Sequence, residues 1–362
     1  MDYEESLMIK AAWYYYFEEM TQQRVAELMG ISRMRVIKLL EKSRQTGIIQ
    51  FRLRKDGENR MLLERRLMSE FGLKDAFVVP AAMDRAMVNA GVAEAASMYI
   101  SERLTENTLI NIGYGDTPSR ILNNLATLAE QPLTCISLTG GVSCYLPDTR
   151  SNVFNAKLHL IPAPLLTSSR EMAEALRNEA SVMELSRMIA LAQMTVVGIG
   201  AMRESATIFK SGILNNNDFL YLSMQGAVGD LLSHFIDKEG NLLKTPLEER
   251  LISTPLDTLK KLKNVIGVAA GDSKVEAIHA ALRGQYLDVL ITDDRTAGKL
   301  LQAGNAACGK VRLPIQITTA NLPAVDPQFS DGIVLLALIG PANDEMHDAS
   351  SLQSICRSQP QT

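Results

Sequence analysis

Residues 21–40 read TQQRVAELMGISRMRVIKLL. This stretch holds two amphipathic segments separated by Gly30, and glycine commonly ends a helix because it adopts the left-handed conformation without strain. Thr21 and Ser32 stand immediately before the two segments, where a side-chain hydroxyl can accept a hydrogen bond from a free N–H group of the first helical turn. The stretch therefore predicts two helices joined by a tight turn, the pattern of a helix-turn-helix.

The flanking sequence extends this prediction to a small domain over residues 1–55. We expect the two helices over 22–29 and 33–45, followed by a short strand over 48–53. An earlier amphipathic helix is predicted over 6–20. The apolar residues that recur on its face at helical spacing are Ile9, Trp13, Tyr16 and Met20.

Positive charge is concentrated in the same segment. Residues 1–55 contain ten Lys or Arg and seven Asp or Glu, whereas the remaining 307 residues contain 27 basic and 34 acidic residues. Within 33–55, eight basic residues accompany a single acidic one, Glu41. A local positive patch on an otherwise acidic chain indicates a surface for nucleic acid.

We predict that the helix over 33–45 binds double-stranded DNA, since the second helix of this motif lies in the major groove. Arginine can read guanine there, and the other basic side chains are placed for phosphates. The predicted DNA-binding residues are Ser32, Arg33, Arg35, Lys38, Lys42 and Arg52. The same residues leave open two alternatives: a structural three-helix bundle, and an adaptor whose basic helix binds an acidic protein.

A linker and a larger domain follow. Residues 56–59 are polar and predict a break, and a charged helix over 61–71 makes 56–75 a linker. Apolar runs and helical stretches then alternate over 76–302, which predicts a mainly parallel sheet covered by helices. The predicted strands are 76–79, 108–112, 134–138, 158–161, 195–199, 265–270 and 289–292. The predicted helices are 86–104, 118–128, 170–178, 182–192, 274–283 and 296–301. Residues 303–362 form a tail of unpredicted structure.

Glycine-rich turns follow several of these strands. Ligands bind at the carboxyl ends of strands in such sheets, and glycines let the backbone approach an anion. The turns relevant to a ligand are GYGDTPS at 113–119, with hydroxyls at Thr117 and Ser119, and TGG at 139–141. Asp230 could accept hydrogen bonds from sugar hydroxyls, and Lys274 could bind a phosphate. A turn residue and an exposed lysine remain the alternatives for these two positions.

The composition excludes several other classes. No apolar run reaches the length that a membrane span needs, and the acidic start of the chain does not resemble a signal peptide, so we predict a cytoplasmic protein. Four cysteines and four histidines are too scattered for a zinc site or a disulfide framework. We predict no metal, no cofactor and no catalytic residue.

The chain resembles the SorC/DeoR-like family of sugar-sensing transcriptional regulators. The segments that carry the resemblance are WYYY at 13–16, LLEK at 39–42, GII at 47–49, GYG at 113–115, LTGG at 138–141, IPAP at 161–164, VGIGA at 197–201, SG at 211–212, GAVGD at 226–230 and TD at 292–293.

The resemblance implies a winged helix-turn-helix domain joined to an α/β domain similar to sugar-phosphate isomerases. It also implies operator DNA and a phosphorylated sugar-like effector as partners, and assembly as a dimer or tetramer. In a regulator of this family, the positions that match Asp230 and Lys274 contact the ligand. The implied effector-binding residues are Gly113, Gly115, Thr117, Ser119, Gly140, Gly141, Asp230 and Lys274.

Two departures from the family affect this interpretation. Asp116 introduces a negative charge into the loop expected to bind phosphate, so that carboxylate must be held away from the anion. Ser143 stands where family members often have glycine. The alternative function is an isomerase or deaminase of sugar phosphates with an added DNA-binding module, in which Asp230 or Lys274 transfers a proton.

Overall fold

A computed structural model describes residues 3–50, 55–128, 133–141, 156–307 and 337–338. These residues belong to two compact units, a smaller one within Met1–Lys55 and Thr319–Thr362 and a larger one within Asp56–Thr318. The elements of the smaller unit are α1 (Tyr3–Ala12), a π-helical turn (Trp13–Phe17), α2 (Gln22–Met29), α3 (Arg33–Gln45), β1 (Ile49–Gln50) and β11 (Ala337–Leu338), which pairs antiparallel with β1.

The helix-turn-helix forms where its sequence predicts it. The Thr21 hydroxyl accepts a hydrogen bond from the Arg24 N–H at 3.3 Å, and the Ser32 hydroxyl accepts one from the Arg35 N–H at 3.2 Å. Gly30 ends α2 in the left-handed conformation, with φ of 63°. The predicted bounds of α2 and α3 are confirmed, because both caps and the C-terminal glycine act at the expected residues.

The helix predicted over 6–20 is wrong in its extent, and one residue of its predicted apolar face, Trp13, is exposed, whereas Ile9, Tyr16 and Met20 pack against the core. The α-helix ends at Ala12 and the chain continues as a π-helical turn, whose hydrogen bonds span five residues rather than four. This change of period moves Trp13 to the surface, where it is 45% exposed and stacks on Phe17 at 4.6 Å between ring centroids. The buried residues of α1 are Met8, Ala11 and Ala12.

The larger unit contains a sheet covered by helices on both faces. Its strands are β2 (Asp75–Val79), β3 (Leu109–Ile112), β4 (Leu133–Ser137), β5 (Ala156–His159), β6 (Met194–Ala201), β7 (Gly229–Leu231), β8 (His234–Ile236), β9 (Val265–Val268) and β10 (Val289–Asp293). Its helices are α4 (Lys55–Phe71), α5 (Val88–Ser101), α6 (Asp116–Leu128), α7 (Arg170–Arg177), α8 (Ala180–Leu191), α9 (Thr207–Lys210), α10 (Asn216–Met224), α11 (Pro246–Glu249), α12 (Leu256–Leu259), α13 (Val275–Arg283) and α14 (Asp294–Ala307).

Within the described part of the chain, seven strands form a parallel sheet in the order β2-β10-β9-β6-β3-β4-β5. Side chains alternate between its faces. Val289 and Ile291 of β10 pack with α5 and α6, whereas Leu290 packs with α4, α8, α13 and α14. The predicted fold class is confirmed, since near-continuous apolar strands are typical of a parallel sheet buried on both faces.

The order of the strands places a crevice between β3 and β6. The chain passes from β3 through β4 to β5 at one edge, then returns to β6 on the other side of β3 and continues to β9 and β10. Such a reversal is where ligands bind in open α/β sheets, at the carboxyl ends of the strands.

The observed elements correct several predictions for the larger unit. Residues 56–59 are helical rather than a break, because acidic Asp56 and Glu58 favour the positive N-terminal end of α4. The last helix continues to Ala307, past the predicted end at 301. The antiparallel hairpin of β7 and β8 and the short helices α9 to α12 had no predicted counterpart. No described helix is both long enough and apolar enough to cross a membrane.

Candidate functional site

A cavity of about 530 Å³ opens in the larger unit at the crevice between β3 and β6. It is lined by the turn after β3, the end of β6, the turn after β9 and the start of α14. Four of the eight predicted effector-binding residues line it: Gly115, Thr117, Asp230 and Lys274. Residues separated by more than 150 positions in sequence thus meet at one edge of the sheet.

Asp230 reaches the cavity through the β7–β8 hairpin. β7 pairs antiparallel with the end of β6 and places Asp230 opposite Gly200. A Cβ atom at Gly200 would overlap the Asp230 carboxylate, so the glycine provides the space for it. The Ser233 N–H donates to Asp230 Oδ2 at 3.1 Å. Burial raises the pKa of Asp230, and this N–H together with the positive charge of Lys274 opposes the increase.

Lys274 ends the 3-10 turn Asp272–Lys274 after β9 and is half-buried. Its ammonium makes no hydrogen bond or ion pair with the residues that the structure describes. Burial lowers the pKa of Lys274, while the charges of Asp116 and Asp230 oppose this decrease. An ammonium with unused donors inside a cavity can bind an anionic group or a hydroxyl oxygen.

The turn after β3 supplies uncharged donors. Gly115 has φ of 124°, and α6 begins at the next residue, so its first N–H groups are free of helical partners. Thr117 is only 2% exposed, and its hydroxyl has no hydrogen-bond partner among the described residues. A buried hydroxyl without a partner costs free energy.

Asp116 lies in the same turn, and its carboxylate is held by neighbours. The Arg120 guanidinium donates to it at 3.1 Å and the Asn89 amide at 2.8 Å. Burial raises its pKa, but these two hydrogen bonds and the charge of Lys274 outweigh burial, so the pKa is lowered. The Asp116 carboxylate therefore stays ionised, and Arg120 balances its charge.

The cavity is also lined by three arginines that the sequence analysis did not single out: Arg85, Arg203 and Arg295. All three are exposed, and none of their guanidinium groups forms an ion pair or hydrogen bond with described residues. In contrast, the nearby Asp272 pairs with Lys299 at 2.8 Å. The cavity therefore carries unpaired positive charge. Arg203 and Arg295 follow the ends of β6 and β10, and this position after a strand is the signal that could have identified them.

The other four predicted effector-binding residues do not line this cavity. Gly113 packs beneath the hairpin, where a Cβ atom would lie 2.9 Å from Leu232 Cδ2. Gly140 packs against the backbone carbonyls of residues 163 and 164, and Ser119 lies in the first turn of α6. Gly141 lines a separate, more open depression. The glycines at 113 and 140 thus serve close packing in the structure.

The predicted DNA-binding residues of α3 are exposed; Arg35, Lys38 and Lys42 lie on one side of the helix, and Arg33 is in its first turn. Arg33, Arg35, Lys38 and Lys42 are exposed, while Val36, Leu39, Leu40 and Ser43 are buried on the opposite face. The hydroxyl of Ser32 caps α3. Two of the cations are paired with Glu4 of α1: Lys42 Nζ lies 2.7 Å and Arg35 Nη2 3.4 Å from its carboxylate oxygens. Arg52 lies outside the described residues.

Two family models match the chain. Residues 55–302 match a family described as "Putative sugar-binding domain", and residues 5–46 match "Sigma-70, region 4". The chain is similar to the transcriptional regulator LsrR of Klebsiella pneumoniae subsp. pneumoniae, with 35% identity over 302 residues that cover 82% of this chain and 93% of the relative. It is also similar to LsrR of Escherichia coli, with 33% identity over 304 residues that cover 83% and 96%.

Solved structures give the same grouping. The full-length sorbitol operon regulator SorC from Klebsiella pneumoniae aligns with a TM-score of 0.60 and 25% identity, covering 83% of this chain and all of that chain. A DeoR family transcriptional regulator from Listeria monocytogenes aligns with a TM-score of 0.60 and 27% identity, covering 67% and 99%. The first alignment covers more residues than the larger unit contains, and the second covers about the length of the larger unit.

Proposed function

The chain belongs to the SorC/DeoR-like family of DNA-binding transcriptional regulators with a sugar-binding domain, and from this premise we propose that its cavity binds a phosphorylated sugar-like effector that controls operator binding. The family and the regulatory function agree with the sequence-based prediction. The alternative of an isomerase or deaminase is not supported, because the similar proteins are named as transcriptional regulators.

A single observation carries the proposal of a phosphorylated effector: within the described residues the cavity is lined by four cations without ion pairs but by only two carboxylates without ion pairs, Asp230 and Asp293, because Asp116 and Asp272 are already paired. Lys274, Arg203 and the start of α6 would receive the phosphate, and the Thr117 hydroxyl would donate to one of its oxygens. Asp116 does not oppose this assignment, because Arg120 and Asn89 hold its carboxylate.

Asp230 would recognise the sugar part of the effector. Its Oδ2 atom accepts one hydrogen bond, from Ser233, and a carboxylate has further acceptor sites for ligand hydroxyls. The hairpin that carries Asp230 and the turn that carries Thr117 both line the cavity. One effector molecule would therefore span a phosphate-binding side and a hydroxyl-binding side.

Operator DNA would lie on the exposed face of α3. Arg33, Arg35 and Lys38 would meet base edges or nearby phosphates, and Lys42 would meet a phosphate. We propose a dimer or tetramer as the DNA-bound form, since regulators with this motif commonly bind two half-sites on one face of the duplex. For the DNA-binding domain we propose residues 1–55 and for the effector domain 76–302; residues 56–75, predicted as a linker, belong to the same compact unit as the effector domain.

A thermal-shift comparison tests the proposed effector. Matched pairs of sugars and polyols with and without a phosphate group would be added to the full chain and to the Lys274→Ala variant. We expect that a phosphorylated member raises the melting temperature of the unchanged protein, because a ligand of the native state stabilises it. The shift should be smaller with the variant. Equal shifts for both members of every pair would contradict a phosphate-binding cavity.

A further inference from the structure

Glu4 is the acidic residue that touches the proposed DNA-binding face. Its carboxylate lies 2.7 Å from Lys42 Nζ and 3.4 Å from Arg35 Nη2. The side chain of Glu4 is 35% exposed, and those of Arg35 and Lys42 are 49% and 46% exposed. All three groups therefore remain reachable from solvent while they pair with one another.

The position of Glu4 is fixed by the packing of α1 on α3. The buried Ser43 hydroxyl of α3 donates to the Leu39 carbonyl at 2.7 Å and contacts the Met8 carbonyl of α1 at 3.3 Å. Met8, Ala11 and Val36 lie in the same buried cluster. The packing of α1 on α3 thus places Glu4 of α1 beside Arg35 and Lys42 of α3.

The two cations are seven residues apart on α3, two helical turns along one face. Lys38 lies between them in sequence, is exposed, and forms no ion pair within the described residues. Glu4 therefore neutralises part of this face and leaves a neighbouring cation free. Lys42 also lowers the pKa of Glu4, through a hydrogen bond and its charge, with a smaller effect from Arg35, so the carboxylate stays ionised.

We propose that Glu4 sets the affinity of this protein for DNA, because its carboxylate competes with backbone phosphates for Lys42 and Arg35. A phosphate that approaches Lys42 must displace Glu4, and the displaced carboxylate then faces the phosphate backbone. Both effects weaken binding to any sequence, since phosphate contacts carry no sequence information. This inference rests on the proposed placement of DNA on α3.

Removing the charge of Glu4 should therefore tighten binding. An exposed ion pair contributes little free energy, so the expected change in affinity is at most about fivefold. We expect Glu4→Gln to bind random-sequence double-stranded DNA about two- to fivefold more tightly at low salt. The plot of log affinity against log salt should become steeper by up to about one unit, because one more phosphate contact forms without a competitor.

Glu5→Gln is the matched control. Glu5 is the next residue of α1, carries the same charge and forms no ion pair with described residues. The full-length Glu4→Gln, Glu4→Ala and Glu5→Gln proteins would be titrated with random-sequence DNA at several salt concentrations. Their melting curves would be recorded in parallel, so that a loss of folding is recognised. Tighter binding by both Glu4 variants, with Glu5→Gln unchanged, supports the proposal.

A double-mutant cycle assigns the effect to the ion pair. The gain from Glu4→Gln should be reduced in a Lys42→Ala background, largely disappear when Arg35→Ala is added, and persist in a Lys38→Ala background, because Lys42 and Arg35 are paired with Glu4 and Lys38 is not. The inference is overturned if folded Glu4→Gln binds no more tightly than Glu5→Gln, or if its gain is undiminished when both Lys42 and Arg35 are replaced by Ala. If Lys42→Ala and Arg35→Ala bind DNA like the unchanged protein, the placement of DNA on α3 fails instead.

Discussion

Gly200 and Asp230 lie opposite each other in the antiparallel ladder between β6 and β7, and the carboxylate of Asp230 occupies the space that a Cβ atom of residue 200 would need. The overlap involves the end of the Asp230 side chain, which can turn away, so the backbone of the hairpin need not change. The glycine therefore determines where the carboxylate points into the cavity.

Gly200→Ala should weaken effector binding while the chain still folds. Displacing a carboxylate that accepts charge-assisted hydrogen bonds removes about 1.5–3 kcal/mol of binding free energy, or roughly ten- to hundredfold in affinity. Gly91→Ala is the control, since no atom lies within 4 Å of its added methyl group. Calorimetric titration would measure both. Unchanged effector affinity in a folded Gly200→Ala protein would show that the position of Asp230 is not needed.

Thr117→Val separates stability from ligand binding. The Thr117 hydroxyl is buried without a partner, so its replacement by a methyl group of similar size should leave the free energy of unfolding unchanged or raise it by about 1 kcal/mol. Effector affinity should fall by about 0.5–1.5 kcal/mol if the hydroxyl donates to the ligand. Thr117→Ser, which keeps the hydroxyl, should retain most of the affinity. Denaturant unfolding and ligand titration together distinguish a ligand-binding role of the Thr117 hydroxyl from a structural role. A structural role predicts a lower free energy of unfolding for Thr117→Val.

The pKa of Lys274 predicts that protons are taken up when an anionic effector binds. Burial lowers this pKa in the free protein, and a phosphate beside the ammonium raises it again. Between these two values the complex holds more protons than the free protein, so affinity should fall as pH rises through this interval. Calorimetry in buffers of different ionisation enthalpy measures the uptake. The ionisation of the ligand is common to both proteins, so Lys274→Ala should take up fewer protons than the unchanged protein, and equal uptake would remove Lys274 from the site.

Arg35 and Lys42 should differ in their effects on DNA binding. If Arg35 reads a base, Arg35→Ala should weaken operator binding by about 1–3 kcal/mol. Its effect on binding to random-sequence DNA should be smaller. Lys42→Ala should weaken all sequences to a similar degree and reduce the salt slope, by less than the one unit of an unpaired cation because Glu4 already competes for Lys42. Titrations of operator and random DNA at several salt concentrations test both, and unchanged operator binding by Arg35→Ala would contradict its assigned contact.

Local sequence signals predicted the helix-turn-helix and the parallel sheet well, because capping residues and apolar runs act over a few neighbouring positions. Thr21, Gly30 and Ser32 set the bounds of α2 and α3 for this reason. The π-helical turn at Trp13–Phe17 escaped prediction, since it changes the helical period without a glycine or proline to mark it.

The cavity could be predicted only in part. Asp230 and Lys274 were identified through a family resemblance, but the hairpin that carries Asp230 depends on pairing with β6 and has no local signature beyond its glycines. The arginines at 85, 203 and 295 come from three separate segments that meet only when the strands assemble. Gly113 and Gly140 pack closely and do not line the cavity, and sequence alone does not distinguish a glycine needed for close packing from one that cradles a phosphate.

The central claim is that an effector in the cavity at Asp230 and Lys274 controls operator binding, and operator-binding curves at increasing effector concentration test it most directly. A ligand moves this equilibrium only through its different affinities for the free and DNA-bound protein. We predict that Asp230→Ala binds the operator normally without effector. With effector, its response should shift about ten- to hundredfold to higher concentration before its maximal extent falls. A response curve of Asp230→Ala that coincides with that of the unchanged protein would contradict the account.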